Sequence, residues 1–206
     1  MIYEVRTYVL TPESVPEFEE NFANSLPHRE KYSRLAAFWH TEVGPLNQVI
    51  HVWPYDSHDD RIRIRAEAGK DPHWPPPNDP DIFVSMASEI FIPAPFMRPM
   101  GGGQTLGNIY EMRTYTLKTG ALPEILKRWG ASVPHREKYS PMAAAMYTEL
   151  DGLNKWVHIW PYKDMQERDQ IRAEALESPH WPPGTGKLLV SMENKIMVPS
   201  SFSPMR

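Results

Sequence analysis

Residues 2–10, Ile-Tyr-Glu-Val-Arg-Thr-Tyr-Val-Leu, alternate from side to side in a run rich in β-branched and aromatic residues, which is the period of a strand. Beyond it, Val15, Phe18, Phe22 and Leu26 recur at intervals of three and four. That spacing predicts an amphipathic helix over 13–26, opened by Thr11-Pro12 and ending near Pro27. Residues 36–42 read as a second strand, Gly44-Pro45-Leu46-Asn47 as a hairpin turn, and 48–55 as a third strand. Ser57 can cap a second helix that runs to about Ala68 with its charges turned outward, before Pro72-His-Trp-Pro-Pro76 forbids its continuation. A fourth strand fits 82–92. The order is βαββαβ. Right-handed crossovers then favour one four-stranded antiparallel sheet with both helices on one face and the first and third strands as central neighbours.

The pattern occurs twice. A shift of 107 residues lays Tyr3-Glu-Val-Arg-Thr-Tyr8 on Tyr110-Glu-Met-Arg-Thr-Tyr115, and Pro27-His-Arg-Glu-Lys-Tyr-Ser33 on Pro134-His-Arg-Glu-Lys-Tyr-Ser140. His51-Val-Trp-Pro-Tyr55 likewise meets His158-Ile-Trp-Pro-Tyr162, and Pro72-His-Trp-Pro-Pro76 meets Pro179-His-Trp-Pro-Pro183. Past these loops the register slips by one, so that Ser85-Met86 falls on Ser191-Met192 and Phe96 on Phe202; a loop tolerates such a length change. The expected organisation is a first repeat at 1–100, a linker at 101–107 whose Gly101-Gly-Gly103 reads as a flexible connector, and a second repeat at 108–206. Each repeat alone has a sheet face to cover. The two are therefore expected to form one intramolecular, pseudo-twofold barrel.

Several of these residues carry a family likeness: Glu4-x-Arg6-x-Tyr8 on the first strand, Thr41-Glu42 with Leu46-Asn47 at the hairpin, His51-x-Trp53-x-Tyr55 on the third strand, and Pro93 with Phe96, or Pro199 with Phe202, at the end of each repeat. In these the chain resembles the NIPSNAP family, twice and over essentially its whole length. The resemblance implies a dimeric α+β barrel, in which two four-stranded sheets face each other around a cavity. Here it implies an α+β fold of two ferredoxin-like βαββαβ repeats whose antiparallel sheets form a pseudo-dimeric barrel. It implies no particular reaction, since members of the family mostly have no assigned biochemical role. Pro27 and Pro134, ahead of His-Arg-Glu-Lys-Tyr, and the Pro-rich loop at 75–80 depart from the family pattern around the cavity mouth.

Composition narrows the field. At 41% hydrophobic and 23% charged residues the chain reads as an ordinary globular protein. Its apolar runs fall well short of the roughly 20 residues that a membrane helix needs, and it has no signal-peptide pattern. The absence of cysteine removes disulfides, thiolate metal sites and cysteine nucleophiles and suits a reducing compartment; the expectation is a cytoplasmic protein with no membrane partner. A formal charge of -4, with Lys and Arg dispersed among Asp and Glu, leaves no basic stripe for a phosphate backbone. Nucleic acid is not expected as a partner.

Strand alternation puts Glu4, Arg6 and Tyr8 on one face of the first strand and Tyr3, Val5, Thr7 and Val9 on the other, which is expected to lie under the helices. The same logic joins His51, Trp53 and Tyr55 on the third strand. The counterparts are Glu111, Arg113, Tyr115, His158, Trp160 and Tyr162. Three readings compete: a wet sheet face, a buried Glu4–Arg6 ion pair of structural value only, and a pocket whose aromatic walls and convergent polar groups hold a small molecule. The expected ligand is small, partly hydrophobic or carboxylated, and bound in the barrel cavity. In a catalytic pocket His51 and His158 would carry protons, while Arg6 and Arg113 would bind a carboxylate or an enolate. Such a pocket suits cofactor-free isomerase, lyase or oxygenase chemistry. The sequence has no Walker loop, serine elbow or His-Glu-x-x-His run.

His28 and His135 read as parts of a solvated face. His73 and His180 dress a rigid loop whose Trp would cap the barrel. Eight histidines without paired ligand spacing give no metal site, and no cofactor is expected. A haem-binding barrel and a non-catalytic interaction or scaffold module, using the Pro-rich 75–80 and 93–99 segments, are the alternatives. A homo-oligomer of the two-repeat chain is a further possibility.

Overall fold

The computed structural model describes residues 1–150 and 152–206. The first repeat contains β1 (Ile2–Leu10), α1 (Val15–Arg29), β2 (Ala37–Val43), β3 (Gln48–Tyr55), α2 (His58–Ala68) and β4 (Phe83–Pro93). The second contains β5 (Ile109–Leu117), α3 (Leu122–Arg136), β6 (Ala144–Leu150), β7 (Lys155–Tyr162), α4 (Met165–Leu176) and β8 (Leu189–Pro199). The expected βαββαβ order holds in both.

The eight strands close into one antiparallel barrel in the order β1-β3-β2-β8-β5-β7-β6-β4. Each repeat supplies four neighbours, and the outer strands pair across the repeats, β2 with β8 through His40 and Val198 and β4 with β6 through Ile92 and Tyr147. Among the described residues closure gives every strand two neighbours, which removes the template for strand addition that an open sheet would offer.

Local chemistry explains most boundaries. Ser57 caps α2 by accepting from the Asp60 amide at 3.1 Å, and the β2–β3 hairpin turns through Gly44 at φ +106° and Asn47 at φ +56°, conformations that Gly and Asn tolerate. Two expectations need correction. Helix α1 starts after Ser14 and does not stop at Pro27 but runs through it to Arg29. Pro27 forgoes the amide bond to the Ala23 carbonyl and its ring crowds that group, yet the helix continues past it and delivers Arg29 to a buried position. The glycine linker is not a free connector. Met100 N donates to Tyr3 Oη at 3.1 Å, Gln104 N to Pro204 O at 2.8 Å and Leu106 N to Arg206 O at 2.7 Å, while Gly101, at φ +92°, passes so close to Ala36 that a Cβ would lie 3.1 Å from its Cα.

Two kinds of core result. Inside the barrel, Tyr3, Val5, Ile50, Val52 and Phe91 meet Tyr110, Met112, Met146, Val157 and Ile159 of the other repeat. Outside it, Phe18, Phe22 and Leu26 of α1 cover Phe38, Val49, Trp53 and Tyr55, and Ile125, Trp129 and Val133 of α3 cover Trp156, Trp160 and Tyr162. The two faces are therefore the reverse of the sequence expectation. Tyr3 and Val5 look into the barrel, and the face with Trp53 and Tyr55 lies under the helices. Each repeat also seals the other's helix layer: Phe202 stacks on Phe22 at 5.7 Å, and Phe96 meets Trp156 at 6.3 Å. Among the described residues no helix is long and apolar enough to cross a membrane.

Candidate functional site

Antiparallel register sets Glu4 opposite Trp53 and Arg6 opposite His51 on the face beneath α1 and α2. Glu4 is fully buried. Its carboxylate accepts from Arg6 at 2.9 Å, Arg61 at 2.6 Å, Arg65 at 3.4 Å, Ser88 Oγ at 2.7 Å and Tyr55 Oη at 3.3 Å. Burial alone would raise its pKa, but the Arg61 bond, the Arg65 charge, Ser88 and Arg6 together hold it at about 2. Arg6 also donates through Nε to Tyr8 Oη at 2.6 Å. From α1, Arg29 reaches Tyr55 Oη at 3.0 Å and Ser33 Oγ at 2.8 Å, with its guanidinium 4.3 Å from the Trp53 ring. Arg6, Arg61 and Arg65 thus meet on a single carboxylate, and Arg29 joins them through the Tyr55 hydroxyl. The layer carries a cationic excess.

His51 sits beside this cluster, buried and sharing contacts with Tyr8 at 5.0 Å and Phe22 at 5.2 Å. Its Nδ1 accepts from Trp53 Nε1 at 2.7 Å, which places the proton on Nε2. That Nε2 has no protein partner. Burial, reinforced by the Arg6 charge, lowers the imidazole to about 3. His51 is therefore a neutral hydrogen-bond donor near pH 7. The expected role of proton carrier does not suit it, because desolvation beside arginines disfavours the imidazolium.

These groups line a cavity of about 620 Å³ between sheet and helices, with Arg6, Arg29, Arg65 and His51 on one side and Tyr8, Phe22 and Trp74 among its rings. Trp74 packs edge-on to Phe22 at 5.5 Å and to Trp53 at 6.1 Å. It closes this cavity and not the barrel, contrary to expectation.

The second repeat rebuilds the arrangement. Glu111 takes Arg113 at 2.8 Å, Arg168 at 2.8 Å, Arg172 at 3.3 Å and Asn194 at 3.0 Å, and is also held at about 2 against the upward pull of burial. Arg113 donates to Tyr115 Oη at 2.8 Å, Arg136 to Tyr162 Oη at 3.0 Å, and Trp160 Nε1 to His158 Nδ1 at 2.8 Å. His158 Nε2 is again unpartnered, and burial pushes its pKa far down. The cavity is smaller, about 290 Å³. Trp129 stands where the first repeat has Phe22, and Arg128 draws the loop inward through Gly184 O at 2.9 Å.

The twelve residues singled out from the sequence are thus brought together in two sets of six, but outside the barrel. His28 and His135 are not among them. His28 lies 4.2 Å from His73 and His135 stacks on His180 at 4.0 Å, at the protein surface side of the loops. Sequence reasoning missed Arg29, Arg61 and Arg65 with their counterparts Arg136, Arg168 and Arg172. The signal was present: Arg29 continues the spacing of Phe18, Phe22 and Leu26 once the helix passes Pro27, and Arg61 and Arg65 share a face with Ile64 and Ala68. Among the described residues no group of three His, Asp or Glu is placed to hold a metal ion.

Comparison with known proteins agrees with the repeat. The NIPSNAP family profile matches residues 3–98 and again 110–204. The Drosophila melanogaster protein NipSnap is 28% identical over 99% of this chain and 78% of its own length. A NipSnap homolog from Dictyostelium discoideum is 30% identical over 96% of this chain and 87% of its own. Among solved structures, a candidate monooxygenase from Lactobacillus acidophilus NCFM overlays on 96% of this chain and 92% of its own with a TM-score of 0.67 and 12% identity, a likeness of fold alone.

Proposed function

The chain belongs to the NIPSNAP family, and from that premise we propose that each repeat binds a small anionic molecule with an apolar body in the cavity between its sheet and its helices. This moves the expected ligand out of the barrel and keeps its chemistry. One observation carries the reading: in both repeats three arginines pair with one carboxylate and a fourth, Arg29 or Arg136, bonds a neighbouring tyrosine hydroxyl, while a buried neutral histidine on the same cavity wall holds an N–H without a partner. A carboxylate or enolate ligand would supply the missing negative charge and accept from His51 or His158, and the rings would cover its apolar part. Binding is preferred to acid–base catalysis because an imidazole held at about 3 lacks the proton affinity of a general base near neutrality.

The test compares 3-phenylpropanoate with its neutral amide by calorimetry and thermal shift. Arg65 and Arg172 are the arginines to change, because their side chains are 39% and 40% exposed and their loss leaves Glu4 and Glu111 well partnered. The carboxylate should bind and the amide should not, and the double variant R65M/R172M should weaken the carboxylate by roughly tenfold or more, the worth of one charge-assisted bond. Equal binding of acid and amide, or an unchanged affinity in the double variant, would overturn the proposal.

A further inference from the structure

The barrel lumen contains a cavity of its own, about 520 Å³, floored by Val5, Phe91, Met112 and Val157 and rimmed by Gln48 and Lys195. It differs from the cavities under the helices in one respect. There the two repeats present the same charged residues, whereas the lumen breaks the pseudo-symmetry at each charged position: Gln48 answers Lys155, Ala87 answers Glu193, and Glu89 answers Lys195. On one seam, Lys155 pairs with Glu89. On the other, Lys195 Nζ donates to a neutral amide, Gln48 Oε1, at 2.7 Å, and among the described residues it makes no ion pair. An ammonium over an apolar floor, matched with an amide instead of a carboxylate, is poorly compensated.

We propose that the barrel lumen is a second site, independent of the cavities under the helices, in which Lys195 forms an imine with the carbonyl of a small aldehyde or ketone. The free amine adds its lone pair to the carbonyl carbon to give a carbinolamine. The carbonyl oxygen then leaves as water with the two amine hydrogens, and a C=N double bond replaces C=O. The transformation consumes no oxidant or reductant. Burial lowers the Lys195 pKa; the neighbouring Glu193 and Glu89 oppose the shift and Lys155 adds to it, so the free amine is more abundant than on an exposed lysine. The apolar floor suits an aryl or short alkyl body.

Benzaldehyde with sodium cyanoborohydride at pH 7.5, followed by intact mass measurement and peptide mapping of the full chain, tests this directly. Beside the α-amino group, which is partly unprotonated at this pH, one lysine adduct per chain is expected, at Lys195, formed about tenfold faster than at other lysines for each unit by which its pKa is depressed. Lys195→Arg should abolish that adduct. Gln48→Glu, which rebuilds the ion-paired seam of the other side, should slow it severalfold while the protein unfolds at no lower temperature. Labelling spread evenly over the lysines, or an unchanged rate in the Gln48→Glu variant, would overturn the proposal.

Discussion

Two histidines buried as neutral rings make a sharp statement about acid stability. His51 is held at about 3 and His158 is also displaced downward, by burial first and by Arg6 or Arg113 next. The unfolded chain protonates both near pH 6.5. Below that value the unfolded state binds more protons than the folded one, so stability falls as pH falls, and it is fully present only above about 6.5. The slope does not depend on how deep the folded pKa lies: each ring costs about 1.4 kcal/mol per pH unit until its folded pKa is reached. At pH 5.5 that is about 1.4 kcal/mol per histidine, so the pair should remove about 3 kcal/mol relative to pH 7.5. His40 works in the opposite direction, because its bond to Glu19 raises its pKa, and its contribution is retained at low pH. Urea unfolding of the chain at half-unit intervals from pH 8 to 5 reads the sum, and His51→Gln, whose amide oxygen can still accept from Trp53, should remove about half of the slope. Stability that stays level from pH 7.5 to 5.5 would refute the neutral, unpartnered imidazole on which the ligand reading depends.

The Glu4 cluster gives a second expectation. Glu4→Gln strands the arginines around a neutral group and should cost about 3 to 5 kcal/mol in urea unfolding, whereas Arg6→Ala should cost less than half of that, because Arg61, Arg65, Ser88 and Tyr55 still hold the carboxylate; equal losses would contradict the shared cluster. A fragment of residues 1–100 leaves β2 without β8, β4 without β6, and Phe22 without Phe202. It should self-associate at micromolar concentration in light scattering, and a cooperatively unfolding monomer would contradict that.

Element identity was legible because the strands and helices here obey simple periods. β1 and β3 fall on the residues that alternation picks out, and Ser57 caps the second helix as its hydroxyl chemistry requires. The end of α1 was not legible from local rules. Pro27 argues for termination on helix propensity alone, and the contacts of Arg29 with Tyr55 and Trp53, residues distant in sequence, outweigh it. The linker misled for a similar reason. Three glycines signal freedom in isolation, yet the closing segment 204–206 supplies carbonyls that fix it in place.

The inversion of the two sheet faces has a more general cause. Alternation separates residues into two sets but does not say which set a helix covers, and in a closed barrel roofed by helices both sets are buried. Polarity then points the wrong way if helices are assumed to shelter only apolar residues. The deciding information lies on the helices themselves. In α2 the side toward the sheet carries Arg61 and Arg65 next to Ile64 and Ala68, and in α4 Arg168 and Arg172 occupy the same places. A helix that turns two guanidinium groups inward needs a carboxylate beneath it, and Glu4 and Glu111 are the strand residues that meet that need. Had they faced the lumen instead, two carboxylates and two arginines would have crowded the space now filled by Tyr3, Val5, Tyr110 and Met112, and each helix would have buried uncompensated charge. The electrostatic demand of the helices therefore fixes the sidedness of the sheet. It also explains why the charged cluster is the same in both repeats, while the lumen, with no helix above it, was left free to become asymmetric around Lys195.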